Sequence, residues 1–427
     1  MKKLSILLVL LLSVSIFATS CGKKIDESVS GGSSSSSSVS DSSDKSSSGE
    51  SSSGGSDSSS KGKDESVVDV DSSSKANENV KLDHEMKETS KTRYGYSTLS
   101  SDEKAIYDKI LDAIYNFKDE VDFGKEITYE TYSKVYKMIY FQETQLFWMR
   151  GILQPFENST SKTAPLYYTC DKATAAEMQK KIDAKAAQII ASFPSGASAV
   201  DKLLAIHDYI GKNCAFTDVK DSGSSQTIYG GLIEGKIQCE GYAKTMGFLC
   251  DKAGIENLLI VGENNKQLSH AWNMVKIDGE WYNIDITWDD PTGNSDPNFV
   301  IHNYFNVTDA EILNISHFQD LDTTAFTPPK ATATKANYFI YYKLYVKSAD
   351  EALSLMQQEM TKSAKAKKPV AEIKCSSKEV YDAAHTAVIN KAIEMQQKAN
   401  AESSNKITAL ADGSDSHTYV IRINLTY

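Results

Sequence analysis

Apolar residues recur at helical spacing through residues 101–117 (SDEKAIYDKILDAIYNF), with Ser101 placed as an N-cap and acids in the first turn. The same period predicts helices over 131–140, 174–190 and 199–213, so residues 88–198 read as a helical N-terminal region leading into a core over 199–335. Residues 223–235 are a glycine-punctuated loop. A further helix follows over 238–253, QCEGYAKTMGFLCDKA, whose apolar stripe runs through Ala243, Met246, Cys250 and Ala253 before Gly254 stops it. The pattern then changes to strands. Asp278-Gly279 between apolar runs is a two-residue hairpin signal, because both central positions of a type I′ turn need positive φ. Beyond residue 336, NYFIYYKLYV, PVAEIKCS and HTYVIRINLTY alternate as strands around two helical segments, a βαβαβ order for a small α/β module over 337–427.

Composition changes this picture at the N-terminus. Lys2 and Lys3 precede the apolar run LSILLVLLLSVSIFA, which is short for a membrane span, and Ala18, Thr19 and Ser20 lead into Cys21. Residues 1–20 resemble a bacterial lipoprotein signal, which implies that Cys21 becomes the lipid-modified first residue and anchors the chain outside the cytoplasm. Residues 28–74 are mostly serine with glycine, aspartate and lysine, a composition that buries nothing, so 21–87 is expected to be a tether spanning roughly 45 Å. The formal net charge of −11 and the lack of a basic stripe argue against a nucleic-acid partner. Six cysteines with no CxxC spacing make neither a disulfide scaffold nor a metal finger.

The chemistry concentrates in two segments. Cys239 heads the helix over 238–253, where unpaired N–H groups and the helix dipole favour a thiolate, whereas Cys250 three turns on reads as a small core residue. If Asp278-Gly279 forms the turn, Ile277 faces Glu280 and Trp272 faces Asp285. His270 then projects from the same face as Asp285 and lies diagonal to it. Val275, Ile277, Tyr282, Ile284 and Ile286 form the opposite, apolar face. A carboxylate that accepts from one imidazole nitrogen leaves the other as a base, so thiol, base and orienting acid make a set for nucleophilic acyl transfer. A three-ligand metal site is the other chemistry of these residue types, but catalytic zinc usually places two ligands at short sequence spacing, and no metal or cofactor is expected.

The run GKIQCEGYAKTMGFLCDKAGI followed by SHAWNMVKIDGEWYNIDITWDDP resembles the core of bacterial transglutaminase-like proteins, with AIHDYIGKN matching the preceding helix. The resemblance implies a papain-like α+β fold, with Cys239 as nucleophile, His270 as base and Asp285 as orienting acid. It also implies an acyl-thioester enzyme acting on amide bonds of protein or cell-wall peptide, by hydrolysis or by transfer to an amine. The Cys239 backbone N–H is one expected oxyanion donor, and Tyr229 is the side chain considered for the other. His207 reads as a structural helix residue, and Asp289, Asp290 and Asp296 as turn residues, with no calcium pattern. A non-catalytic surface binding or adhesion module on the same scaffold is the alternative.

Overall fold

The structure is a computed structural model that describes residues 14–15, 82, 88–218, 223–263, 269–290, 296, 298–314 and 320–427. Cys21 and the serine-rich stretch 28–74 lie outside the described residues. Among the described residues, no helix is long and apolar enough to cross a membrane.

The N-terminal region begins with α1 (Ser101–Tyr115), closed by a capping box in which Ser100, rather than Ser101, accepts from Glu103 N–H and Glu103 returns the bond. The region is not wholly helical as expected. An antiparallel pair, β1 (Glu120–Thr128) and β2 (Thr160–Pro165), flanks α2 (Tyr129–Gln142). Strand β1 carries a period-2 signal in buried Val121, Phe123 and Ile127, which a helical reading of the region overlooks, while β2 alternates weakly. Then come α3 (Lys172–Ala191) and α4 (Ala199–Asn213), the latter with the predicted bounds.

The central layer is α5 (Cys239–Ala253) against an antiparallel sheet of β3 (Asn257–Glu263), β4 (Ser269–Ile277) and β5 (Glu280–Ile284), followed by the single turn α6 (Ile286–Asp289). The short β6 (Asp320–Leu321) pairs with β3, giving the order β6-β3-β4-β5. Alternation sorts the sheet's side chains between two cores. Leu259, Ala271, Val275, Ile277, Tyr282 and Ile284 join the large core around α5, while Leu258, Ile260, Trp272, Met274 and Trp281 form a second core on the other face.

The C-terminal part has its own apolar core built by Met356, Met360, Ile373, Val388, Ile421 and Ile423. It comprises β7 (Tyr345–Val346), α7 (Ala349–Ala366), β8 (Val370–Cys375), α8 (Lys378–Glu402), β9 (Ala409–Asp412) and β10 (Val420–Thr426), with sheet order β7-β8-β10-β9. The expected βαβαβ order thus gains β9. Its first strand shrinks to two residues because Asn337 caps a helical turn over Tyr338–Tyr341.

Buried polar contacts fasten the N-terminal region to the centre. The Gln142 amide pairs with the Leu259 backbone in both directions, donating at 2.9 Å and accepting at 3.3 Å. Arg93 bridges Glu143 at 3.1 Å and Asp251 on α5 at 2.6 Å. Glu143 also accepts from Ser90, Tyr107 and Gln145, so its carboxylate is embedded in a fully buried cluster. Removing one partner of a buried ion pair leaves an uncompensated charge. Arg93→Met should therefore cost about 3–5 kcal/mol, seen as a lower urea midpoint at unchanged slope. A midpoint equal to the parent's would show that the cluster does not hold this region in place.

Candidate active site

Gln238 is in extended backbone and Cys239 opens α5, so Cys239 meets the unpaired N–H groups of the first turn. Every residue from Cys239 to Cys250 is buried, which makes α5 a helix packed on all sides rather than along one stripe; Ala253 is only half-buried. Two glycines permit this closeness. A Cβ at Gly231 would lie 2.0 Å from Thr245 Oγ1, and one at Gly241 would lie 2.3 Å from the Ser225 carbonyl oxygen. That same carbonyl accepts from Gln238 N–H at 2.9 Å, so the segment before the helix is clamped to its head.

Cys170, Cys214, Cys250 and Cys375 are free. Burial pushes the Cys214 thiol up to about 12 and the Cys250 thiol well above the usual thiol range, which fits the reading of Cys250 as an inert core residue.

The β4–β5 hairpin has the expected register. Ile277 faces Glu280 and Asn273 faces Ile284, with Asp278 at φ 52° and Gly279 at φ 87°. His270 Nε2 and Asp285 Oδ2 are 2.8 Å apart, both groups being buried. With Nε2–H donating to the carboxylate, the lone pair of the imidazole is on Nδ1. Asp285 Oδ1 accepts from the N–H groups of Thr287 and Trp288, so one carboxylate orients the histidine and caps α6 at once. Trp272 lies 6.2 Å from the His270 ring at 19°, and Trp288 meets it edge-on at 6.2 Å. Neighbouring amides lock this arrangement: Asn273 donates to Ala243 O on α5, and Trp272 Nε1 donates to Asn283. Since α5 packs against both β4 and α6, the elements carrying Cys239, His270 and Asp285 form one packed unit.

Tyr229, considered as an oxyanion donor, precedes a π-helical turn over Gly230–Glu234 and lies beside Phe147, with ring centroids 6.5 Å apart. The aspartates read as turn residues do more than turn the chain. Asp290 accepts from the Tyr242 hydroxyl on α5. Asp289 is fully buried, accepts from Tyr304 N–H, and lies 3.2 Å from His207 Nε2. Burial raises the Asp289 carboxyl above its ordinary range.

His207 is accordingly more than a helix residue. It belongs to a buried polar cluster with Asp208, Asp289, His302, Glu372, Asn303 and Arg422 that joins α4 and α6 to β8 and β10. Burial opposes a charged His302, but Glu372 and Asp208 outweigh it and lift its pKa to about 10. Sequence reading missed this cluster because its members come from separate segments with no shared motif. The adjacent pair His207-Asp208 was its only local signal.

The family model described as the transglutaminase-like superfamily matches residues 184–286. Kyphoscoliosis peptidase from Mus musculus and from Homo sapiens are each 24% identical over 122 residues, covering 25% of this chain and 18% of theirs. The chain thus matches about a fifth of the length of these curated relatives. A solved TGase structure shares 19% identity over 34% of this chain and 44% of its own, at a TM-score of 0.24.

The double duty of Asp285 can be weighed by substitution. Asp285→Ala removes an N-cap, at about 1 kcal/mol, and leaves a buried imidazole N–H unpaired, at about 1–3 kcal/mol. Asp285→Asn keeps a capping oxygen and should recover about half of that loss. Urea denaturation of both variants reads the difference; an alanine variant as stable as the parent would contradict the assignment.

Proposed function

From the premise that residues 184–286 form a transglutaminase-like domain, we propose that this chain is an extracytoplasmic thiol enzyme in which Cys239, His270 and Asp285 cleave amide bonds through an acyl-thioester. The observation that carries the reading is the buried 2.8 Å His270–Asp285 bond on elements packed against the helix that Cys239 opens. Imidazole Nδ1 accepts the thiol proton, and the thiolate attacks the substrate carbonyl carbon. The developing oxyanion is steadied by N–H donors at the head of α5. Collapse breaks the carbon–nitrogen bond while the imidazolium returns its proton to the leaving nitrogen. A second nucleophile then loses a proton to His270, attacks the thioester and frees the sulfur. Water gives hydrolysis, and an amine gives transfer.

The substrate class proposed is protein or cell-wall peptide, reached from a lipid anchor at Cys21 and a serine-rich tether. A second reading, a binding or adhesion module without catalysis, draws on the C-terminal part, which has its own apolar core and no chemistry recognisable in its sequence.

The test is incubation of the full chain, under reductant, with glutamine-containing peptides and a fluorescent amine, with products read by mass spectrometry. Cleavage, deamidation or amine incorporation is expected. Cys239→Ala or His270→Ala should lower the rate by about 10³-fold or more. After reduction, iodoacetamide should modify Cys239 faster than buried Cys214 and Cys250. Absence of every product from folded, reduced protein would overturn catalysis in favour of the binding module.

A further inference from the structure

We propose that His207, Asp208 and His302 form a binding site for a divalent transition-metal cation of the zinc class, set between the catalytic core and the C-terminal sheet and using none of Cys239, His270 and Asp285 as ligands. One ligand atom from each of the three residues lies within 4.8 Å of the others. His207 Nδ1 is 3.4 Å and His302 Nε2 is 3.0 Å from the same oxygen, Asp208 Oδ1. A tetrahedral zinc holds nitrogen and oxygen ligands at about 2.0–2.2 Å, which sets neighbouring ligand atoms roughly 3.3 Å apart. Both nitrogen–oxygen spacings suit one ion, and the two imidazole nitrogens, within 4.8 Å of each other, close around it on binding.

What lies behind the ligands points the same way. Each histidine turns its remote nitrogen to a carboxylate: His207 Nε2 to Asp289 at 3.2 Å, and His302 Nδ1 to Glu372 at 2.5 Å. A remote N–H donating to a carboxylate puts the lone pair on the nitrogen that faces the metal, the usual outer support of a histidine ligand. Those carboxylates are themselves fixed, Asp289 by two contacts from Tyr304 N–H and Glu372 by Arg422. The rings face one another at 5.2 Å and 29°, and Tyr338 stacks on His302 at 3.9 Å, so neither imidazole can swing away. Asp208 is 27% exposed while His207 is fully buried, which gives an ion a path in from the Asp208 side.

Two protons are the competing occupants. If both imidazoles are protonated, all four ring N–H groups find the carboxylates named above, and the cluster is a set of ion pairs. A divalent ion replaces the two inner protons at equal charge, leaving Asp289 and Glu372 as acceptors of the outer ones. The ion would then bind α4 and the segment carrying His302 together, directly beneath β8.

The experiment uses the untagged full chain carrying Cys239→Ala and Cys170→Ala, so that neither of these thiols competes, stripped with chelator and titrated with cobalt(II) and zinc(II) alone. One equivalent of cobalt should bind with the visible bands of a four-coordinate site, be displaced by zinc, and raise the melting temperature as ligand exceeds Kd. His207→Gln and His302→Gln should abolish the bands, the exposed-residue control His417→Gln should keep them, and Glu372→Gln should weaken affinity about 10–100-fold. Should the histidine variants fail to fold, the Glu372→Gln affinity and the melting shift of the parent decide. No cobalt bands and no melting shift in the parent, or unchanged binding in a folded His302→Gln, would overturn the site.

Discussion

The candidate active site depends on strand register. A one-residue slip between β4 and β5 would carry His270 and Asp285 to opposite sheet faces and would turn Val275, Ile277 and Tyr282 out of the main core. Two residues prevent it: Asp278 and Gly279 take the positive φ values that a tight two-residue turn requires. The apolar burial on both faces then reinforces the same register, because the apolar side chains that alternation sends to one face join one core and those sent to the other join the second. Turn chemistry and hydrophobic pattern agree, and the polar pair is placed as their by-product.

That agreement explains why this part of the chain was legible. A Gly-bounded helix with cysteine at its head and a hairpin with a fixed turn are local features, each set by residues within about twenty positions of one another. The bounds of α4 and the burial of Cys250 followed in the same way. Legibility failed where contacts are long-range. Strands β1 and β2 pair across an intervening helix, so the alternation of Val121, Phe123 and Ile127 in β1 has no neighbouring strand in sequence to mark it. The buried cluster around His302 draws on residues from 207 to 422, and nothing in the spacing of His207, Glu372 and Arg422 announces that they meet.

The run Trp288-Asp289-Asp290 shows how sequence compresses several tasks into one turn. Asp285 holds His270, Asp289 holds His207 and Tyr304, and Asp290 holds Tyr242. Three carboxylates within six positions diverge to three separate elements because α6 makes one turn and ends, sending successive side chains in different directions. Reading such acids as turn formers accounts for the chain's path and overlooks what the carboxylates bind.

A single helical turn has little rigidity of its own, since nucleating one is unfavourable and most helical stability comes from packing. The orientation of α6, and so of the Asp285 carboxylate at its N-cap, must come from the groups at both of its ends. At one end stand His270 and the capped N–H groups. At the other, Asp289 joins His207, which leads through Asp208 and His302 to Glu372 on β8. The hydrogen-bonded path from the C-terminal sheet to the imidazole is continuous, and each link is buried or partly so. The C-terminal part, which carries no chemistry recognisable in its sequence, is thereby one of the supports that fix where the orienting carboxylate sits.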